Sequence, residues 1–292
     1  MDNQDIQALA ADIAAELASG SVIPYVGPGM LALCEPPLVP ATPPELAARL
    51  TARASVPHKI RTRVTQAAQF IENFKHRKTL VTLMNEAYAA TPTPSALHRL
   101  LAASGAPLLV DAWYDGALAA ALELERPEGD WGQIQGQSQS EHFGHWTAAY
   151  GADGKALESW DTADDVLAAW TTLLYRPLGG RAPASNYLIS DTDFVEVLTE
   201  IDIQTPIPRA VQAIRSGRGF LFLGCRFDDQ LVRAFARQIM KRSGGHHRAL
   251  ITGELTRMER RFLEEQGIER IDLELPALAD ALASAPRPAL AA

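Results

Sequence analysis

Residues 21–30 read SVIPYVGPGM. Ser21 to Val26 has the length and apolar character of a short buried strand, and Gly27-Pro28-Gly29 is a tight turn leaving it. A strand running into a glycine turn is how many α/β proteins hold the phosphates of a nucleotide on backbone N–H groups. Pro28 sits inside this turn and has no N–H to donate. The stretch therefore points to a fold class and raises a chemical question: is the turn a working phosphate cradle or only its outline?

The same strand-then-turn pattern recurs along the chain. APLLVDAW (106–113) is an apolar run of strand length, followed by a helical pattern in YDGALAAALEL. TTLLYRPLGG (171–180) and RGFLFLGC (218–225) are further strands entering glycine turns, and HRALIT and IERIDLE read as two more strands. Helical patterns fall between them. Residues 5–19 place Ile6, Leu9, Ile13 and Leu17 on one face, with Gly20 as a C-terminal stop. PPELAARLTARA opens a helix with Pro44 in its first turn. Residues 62–89 hold one or two helices, and SALHRLLAAS, IPRAVQAIRSG, DDQLVRAFARQIMKRSGG and ELTRMERRFLEEQG one each. DTDFVEVLTEI starts on an Asp cap. Short apolar strands alternating with helices give an α/β fold: a Rossmann-like open parallel sheet with helices on both faces. Ligands of such sheets sit at the carboxyl ends of the strands, so the junctions at Gly27, Trp113 and Gly224 are where chemistry is expected.

The character changes at residue 126, where RPEGDWGQIQGQSQSEHFGHWTAAYGADGKALESW is rich in Gly, Gln, Ser and Trp. HWTAAYGADGKALES reads as a hairpin turning at Ala152-Asp153-Gly154. Residues 126–170 are expected to be an insertion or lid within a single domain spanning 1–292, with 283–292 as a flexible tail. Trp131, Phe143, Trp146, Tyr150 and Trp160 lie in that polar background. Aromatics of this kind suit a protein interface, so residues 126–160 are the expected contact for a protein partner.

The chain has 292 residues, 47% of them hydrophobic and 21% charged, which is ample for a real core. A net charge of −8 and the lack of a basic run argue against nucleic-acid and anionic-membrane partners. The acidic amphipathic start is not a signal peptide, and no apolar run approaches membrane-span length. Cys34 and Cys225 are far apart and form no metal-ligand pattern, so a cytoplasmic setting is expected.

Taken in order, these segments resemble the sirtuin-like NAD-binding family, in particular its divergent bacterial branch, across residues 20–275. VIPYVGPGM resembles the family's strand with a Gly-Ala-Gly-x-Ser loop. LHRLLAASGAPLLVDAWYDGALAAAL resembles its helix, strand and Thr-Asn-Tyr-Asp segment. LLYRPLGG and NYLISDTDFVEVL resemble its Lys-x-His-Gly segment and the helix after it. GFLFLGCRFDDQLVRAF resembles its Phe-Leu-Gly-Tyr-Ser-x-x-Asp segment, and HHRALIT with the closing strand resembles its last βαβ portion. No one motif is specific; the ordered set is. The resemblance implies that NAD or ADP-ribose would be held by Gly27, Gly29, Met30, Trp113, Asp115, Gly224 and Cys225.

Departures from the pattern cluster at the reacting positions. Trp113 stands where the family has the Asn that positions water or substrate beside the nicotinamide ribose; it has one N–H donor and no amide acceptor. Leu178 aligns with the family's general-base His and cannot accept a proton. Leu31 replaces the loop Ser, and Pro28 removes a backbone donor. What the resemblance implies is a sirtuin-like protein without catalytic residues, acting as a nucleotide-responsive regulatory or partner-binding factor. Two alternatives stand beside it: an active NAD hydrolase or protein deacylase using atypical residues, and a structural subunit with a collapsed cleft.

The remaining signals read as structural. Asp115 caps the helix starting near Gly116, and Asp228-Asp229 caps the helix after it. His98 lies on the inward face of its helix. Cys225 is a small buried residue at a strand end. His246-His247 is at a strand start. His142 and His145 have a metal-compatible spacing, but no third ligand is apparent and their Gly- and Ser-rich surroundings oppose a helix.

Overall fold

The computed structural model describes residues 2–35, 39–158, 168–200 and 206–285. Helix α1 (Asn3–Ser19) turns Ala10, Ile13 and Leu17 inward. Asp2 caps it by accepting from Asp5 N at 2.8 Å, and Gly20 closes it with a left-handed φ of 65°. Strand β1 (Val22–Val26) follows and is buried throughout. The glycine turn after it is not a bare turn. Gly27 caps a six-residue 3-10 helix, Pro28–Leu33, with Pro28 in its first turn.

The segment 64–87 forms two helices, α3 (Val64–Lys75) and α4 (Arg77–Ala87), after α2 (Pro43–Arg53). They part at His76, whose φ of 71° no helix continues. Next come α5 (Ala96–Ala102), β2 (Leu108–Asp111), α6 (Ala117–Glu125), β3 (Trp131–Gly136), β4 (Thr147–Gly151) and β5 (Thr172–Arg176). A two-residue ladder pairs β6 (Gly179–Gly180) with β7 (Asn186–Tyr187). The chain continues through α7 (Asp191–Glu200), α8 (Arg209–Arg215), β8 (Gly219–Leu223), α9 (Gln230–Met240), β9 (His247–Leu250), α10 (Arg257–Gln266), β10 (Ile268–Ile271) and α11 (Leu275–Ser284). Helix α11 has no counterpart in the sequence reading. It carries Leu278, Ala281 and Leu282 inward and runs through residues 283–284, which the sequence assigns to the tail. Residues 286–292 lie outside the described residues.

The main sheet has the order β10-β9-β8-β1-β2-β5-β3-β4. Every pairing is parallel except β3 with β4. Alternate residues face opposite layers. Ile23, Tyr25, Phe220 and Phe222 pack with α2, α3, α4, α7, α8, α9 and α10; Val22, Val26, Leu221 and Leu223 pack with α1, α5, α6 and α11. Both faces are covered, which is why the strands read as unbroken apolar runs rather than alternating ones. Pro24 has no N–H for a ladder, and the β1–β2 pairing begins one residue later, at Tyr25↔Val110.

Residues 126–158 are woven into this sheet rather than laid over it. Strand β3 pairs with β5 from Trp131↔Thr172 to Gln135↔Arg176, and β4 closes the edge. The expected turn at 152–154 is present, with Gly151 N donating to Lys155 O at 3.0 Å, but β4 takes β3 as its main partner. Gly132 and Gly136 are required here. A Cβ at Gly132 would enter the Trp170 ring, and one at Gly136 would strike Pro177 O.

Candidate functional site at the carboxyl edge of the sheet

The chain leaves β1 toward β2 on one side and returns to the other side for β8, so the direction reverses between β1 and β8. That is the topological switch point where ligands of open α/β sheets bind. The three expected junctions lie there together, because β1 is flanked by β8 and β2.

The two glycine loops pack directly on each other. Gly29 N donates to Gly224 O at 2.8 Å, Gly27 N to Leu223 O at 2.9 Å, and Met30 N to Gly27 O at 3.1 Å. A Cβ on Gly27 would lie 2.7 Å from both Gly224 O and Cys225 Sγ, and one on Gly29 would lie 2.9 Å from Gly224 O. The glycines are thus needed for backbone against backbone. Their amides are committed within the protein, and Pro28 has none, so residues 27–30 offer no free donor to a diphosphate. Met30 is buried among α1, α5 and α11 side chains. Cys225 is buried with its Sγ 3.6 Å from Tyr25 O and Leu223 O, and burial pushes the thiol far above its ordinary range. It is a packing residue.

At the exit of β2, Trp113 is buried and its indole Nε1 donates to Pro40 O at 3.0 Å. Its ring lies 5.1 Å from that of Tyr114, which in turn lies 5.7 Å from Tyr88 and 5.9 Å from Tyr187. Tyr114 Oη donates to Leu188 O at 2.6 Å. Asp115 accepts from Ala117 N at 2.8 Å, the capping role its sequence position suggests. Leu178, after β5, is buried in the same core cluster as Trp113, and its carbonyl accepts from Leu188 N at 2.9 Å.

Sequence reasoning missed a buried charged pair beside these residues. Asp111 ends β2 and Arg176 ends β5, and both side chains are 2% exposed. Arg176 Nε lies 3.4 Å from Asp111 Oδ2, and its Nη1 donates to Ala182 O at 2.9 Å. Burial raises the pKa of Asp111; the Asp115 carboxylate adds to this, and the Arg176 charge opposes it. Asp115 is raised by burial too, against the pull of the Ala117 N–H and Arg176. The available signal was an acid inside an apolar run, LLVDAW, where a strand end is the natural place for it.

The aromatic set of the 126–160 stretch divides. Trp131 and Tyr150 are buried in the sheet, Trp146 packs partly against the core, and Trp160 lies outside the described residues. Phe143 alone of the described four stands out to solvent, 91% exposed. Its loop is tied down from below. Asp193 Oδ2 accepts from Ile189 N, Ser190 N and Arg77 Nη1, each at 2.9 Å, while its Oδ1 accepts from Ser138 Oγ. Arg77 Nε reaches Glu141 at 3.2 Å, and Ser140 Oγ donates to Glu72 at 2.9 Å. The loop tip is therefore presented on a rigid base formed by α3, α4 and the start of α7.

The other expected structural roles follow the geometry. His98 is buried with Nδ1 2.7 Å from Ser95 Oγ, and burial lowers its pKa to about 4. Asp229 caps α9 through Leu231 N at 2.7 Å. His247 Nδ1 accepts from Phe220 N at 3.0 Å. Among the described residues, no three His, Cys, Asp or Glu side chains are grouped to hold a metal ion, and no helix is long and apolar enough to cross a membrane.

A family model described as SIR2-like domain matches residues 107–271, from the start of β2 to the end of β10. A search of curated proteins returned no match.

Proposed function

The chain belongs to the SIR2-like domain family, and on that footing we propose that it is a non-catalytic member that binds a protein partner rather than cleaving NAD. The observation that carries this reading is the state of the carboxyl edge. The amides of Gly27, Gly29 and Met30 are spent on protein carbonyls. Trp113 is fastened to Pro40 O, and Leu178 is a buried hydrocarbon where the family resemblance puts a base. Leu178 accepts no proton, and residues 27–30, with three amides bonded to protein carbonyls and no N–H on Pro28, offer a phosphate no free backbone donor. The partner surface in this reading is the 137–146 loop with Phe143 at its tip. A solvated aromatic on a pinned loop is the kind of anchor that interfaces bury.

The experiment is to incubate the purified chain with NAD and measure released nicotinamide, alongside melting curves with NAD and ADP-ribose. The expected result is no release above the protein-free control and an unchanged melting temperature, since a ligand of the folded state must raise it. Release of nicotinamide overturns the non-catalytic reading.

A second reading keeps NAD-consuming activity on different residues, and Asp111 favours it. A buried carboxyl whose pKa is raised, next to Arg176 at a strand's carboxyl end, has the character of an acid–base group. This reading predicts nicotinamide release that Asp111→Asn abolishes in a protein whose circular dichroism spectrum is still native, although stranding Arg176 lowers its melting temperature.

A further inference from the structure

The acidic chain carries a local concentration of positive charge. Residues 226–270 hold ten Lys and Arg against seven Asp and Glu, while the rest of the chain holds 17 against 28. Part of this charge lines a groove of about 260 Å³ between α9 and α10, formed by Arg233, Arg237, Met258, Arg261, Phe262 and Glu265. On α9 the two arginines are one turn apart. On α10 the four residues fall at i, i+3, i+4 and i+7, a single stripe about 10 Å long.

The charges in the groove do not cancel. Glu265 serves two guanidinium groups at once, Arg261 Nε at 2.6 Å and Arg237 Nη2 at 3.8 Å. Arg233 spends its hydrogen bonds on the carbonyls of Phe227 and Asp228 and so keeps its charge. Arg237 lies 6.0 Å over the Phe262 ring, which holds the guanidinium at the groove wall. Its side chain is 49% exposed and that of Arg261 64%, and Met258 offers an exposed apolar surface between them.

We propose that this groove docks an acidic amphipathic segment of a protein partner, its carboxylates meeting Arg233, Arg237 and Arg261 and its apolar side chains covering Met258. The cationic groups run along two helices rather than converging on one point, which suits a string of carboxylates better than a single phosphate. Phe262 is buried and gives no stacking platform, and the chain as a whole is acidic, so a nucleic-acid strand is disfavoured. The groove lies on helices outside the 137–146 loop and the β1–β8 cleft, so the proposal stands apart from the function proposed above.

The test is fluorescence anisotropy of the full chain with a fluorescein-labelled peptide of repeating Leu-Glu-Glu-Leu units. The native protein should bind saturably and lose affinity as salt rises. Arg237→Glu with Arg261→Glu should weaken binding by about tenfold or more, since each exposed ion pair contributes up to about fivefold and reversal adds repulsion. Met258→Glu, which leaves every arginine in place, should weaken it as well; both variants should keep the native circular dichroism spectrum. Absence of saturable binding, equal binding by either folded variant, equal binding of a Leu-Lys-Lys-Leu peptide, or tighter binding of oligothymidylate each overturns the proposal.

Discussion

Replacing Glu259 by Gln perturbs the clamp that holds the exit of β8. The Glu259 side chain is fully buried. Its Oε1 accepts from Arg226 Nε at 2.8 Å and Phe227 N at 3.1 Å, and its Oε2 from Arg226 Nη2 and Thr256 N, both at 2.9 Å. Two carboxylate oxygens meet four donors, so a glutamine must turn an NH2 toward two of them. Burial works to raise the carboxyl's pKa, but the bonds from Arg226, Thr256 and Phe227 outweigh it and bring the value down to about 2. Relative to an ordinary value near 4.5, linkage converts that depression into roughly 3 kcal/mol. Arg226 is 46% exposed, and solvent screening reduces the figure to about 2 kcal/mol. The sign follows from a depressed folded-state pKa. The stabilisation is present above about pH 4.5 and is lost as pH falls through about 2. Urea unfolding of the native chain and Glu259→Gln should therefore differ by about 2 kcal/mol at neutral pH, or roughly 4–8 °C in melting temperature. The gap should narrow steadily below about pH 4.5. A gap under about 0.5 kcal/mol at neutral pH, or one that does not change with acidification, refutes the reasoning.

Three other perturbations test other joints. Gly224→Ala places a Cβ against Met30 N at a left-handed φ of 67°; it should destabilise by about 2–4 kcal/mol in urea, and a neutral result means the two glycine loops are not in contact. Trp113→Ala empties a buried indole site and frees Pro40 O, so unfolding should cost about 3–5 kcal/mol less than in the native chain; a loss below about 1 kcal/mol denies that this ring is core. Arg77→Met leaves buried Asp193 without its cation and releases Glu141. A loss of about 3 kcal/mol and faster proteolytic cleavage within 137–146 are expected, and an unchanged cleavage rate there contradicts the anchoring described.

The core of the fold was legible because its strands are buried on both faces. VIPYV, LLVD, TLLYR and GFLFL announce themselves as apolar runs, and the glycine exits of VIPYV, TLLYR and GFLFL with the Trp113 exit of LLVD mark the sheet's carboxyl edge. Strand β3 escaped for a physical reason. WGQIQG has few β-branched residues, and its glycines are there because Trp170 and Pro177 occupy the space of a side chain. Composition of that kind reads as loop until the partner strand is known. Helix α11 escaped because LPALADALAS lies between a strand and a Pro- and Ala-rich tail, and its apolar face is defined by packing on α1, α5 and the Pro28–Leu33 turn of helix. At the site, motif order put residues 27–30 and 224–225 at strand ends, and the pairing of β1 with β8 makes those two ends neighbours. The amides of Gly27 and Gly29 are committed to Leu223 O and Gly224 O, nearly 200 positions away, and no local pattern reports such a bond. The Asp111–Arg176 pair likewise exists only because β2 and β5 are neighbours.

The commitment of the β1-exit amides is tested most directly by isothermal titration of the purified chain with ADP-ribose, which asks residues 27–30 for the phosphate donors they have already given to protein carbonyls. Heats no greater than dilution are predicted. Saturable one-to-one binding that Gly29→Val removes from a still-folded protein would contradict the account.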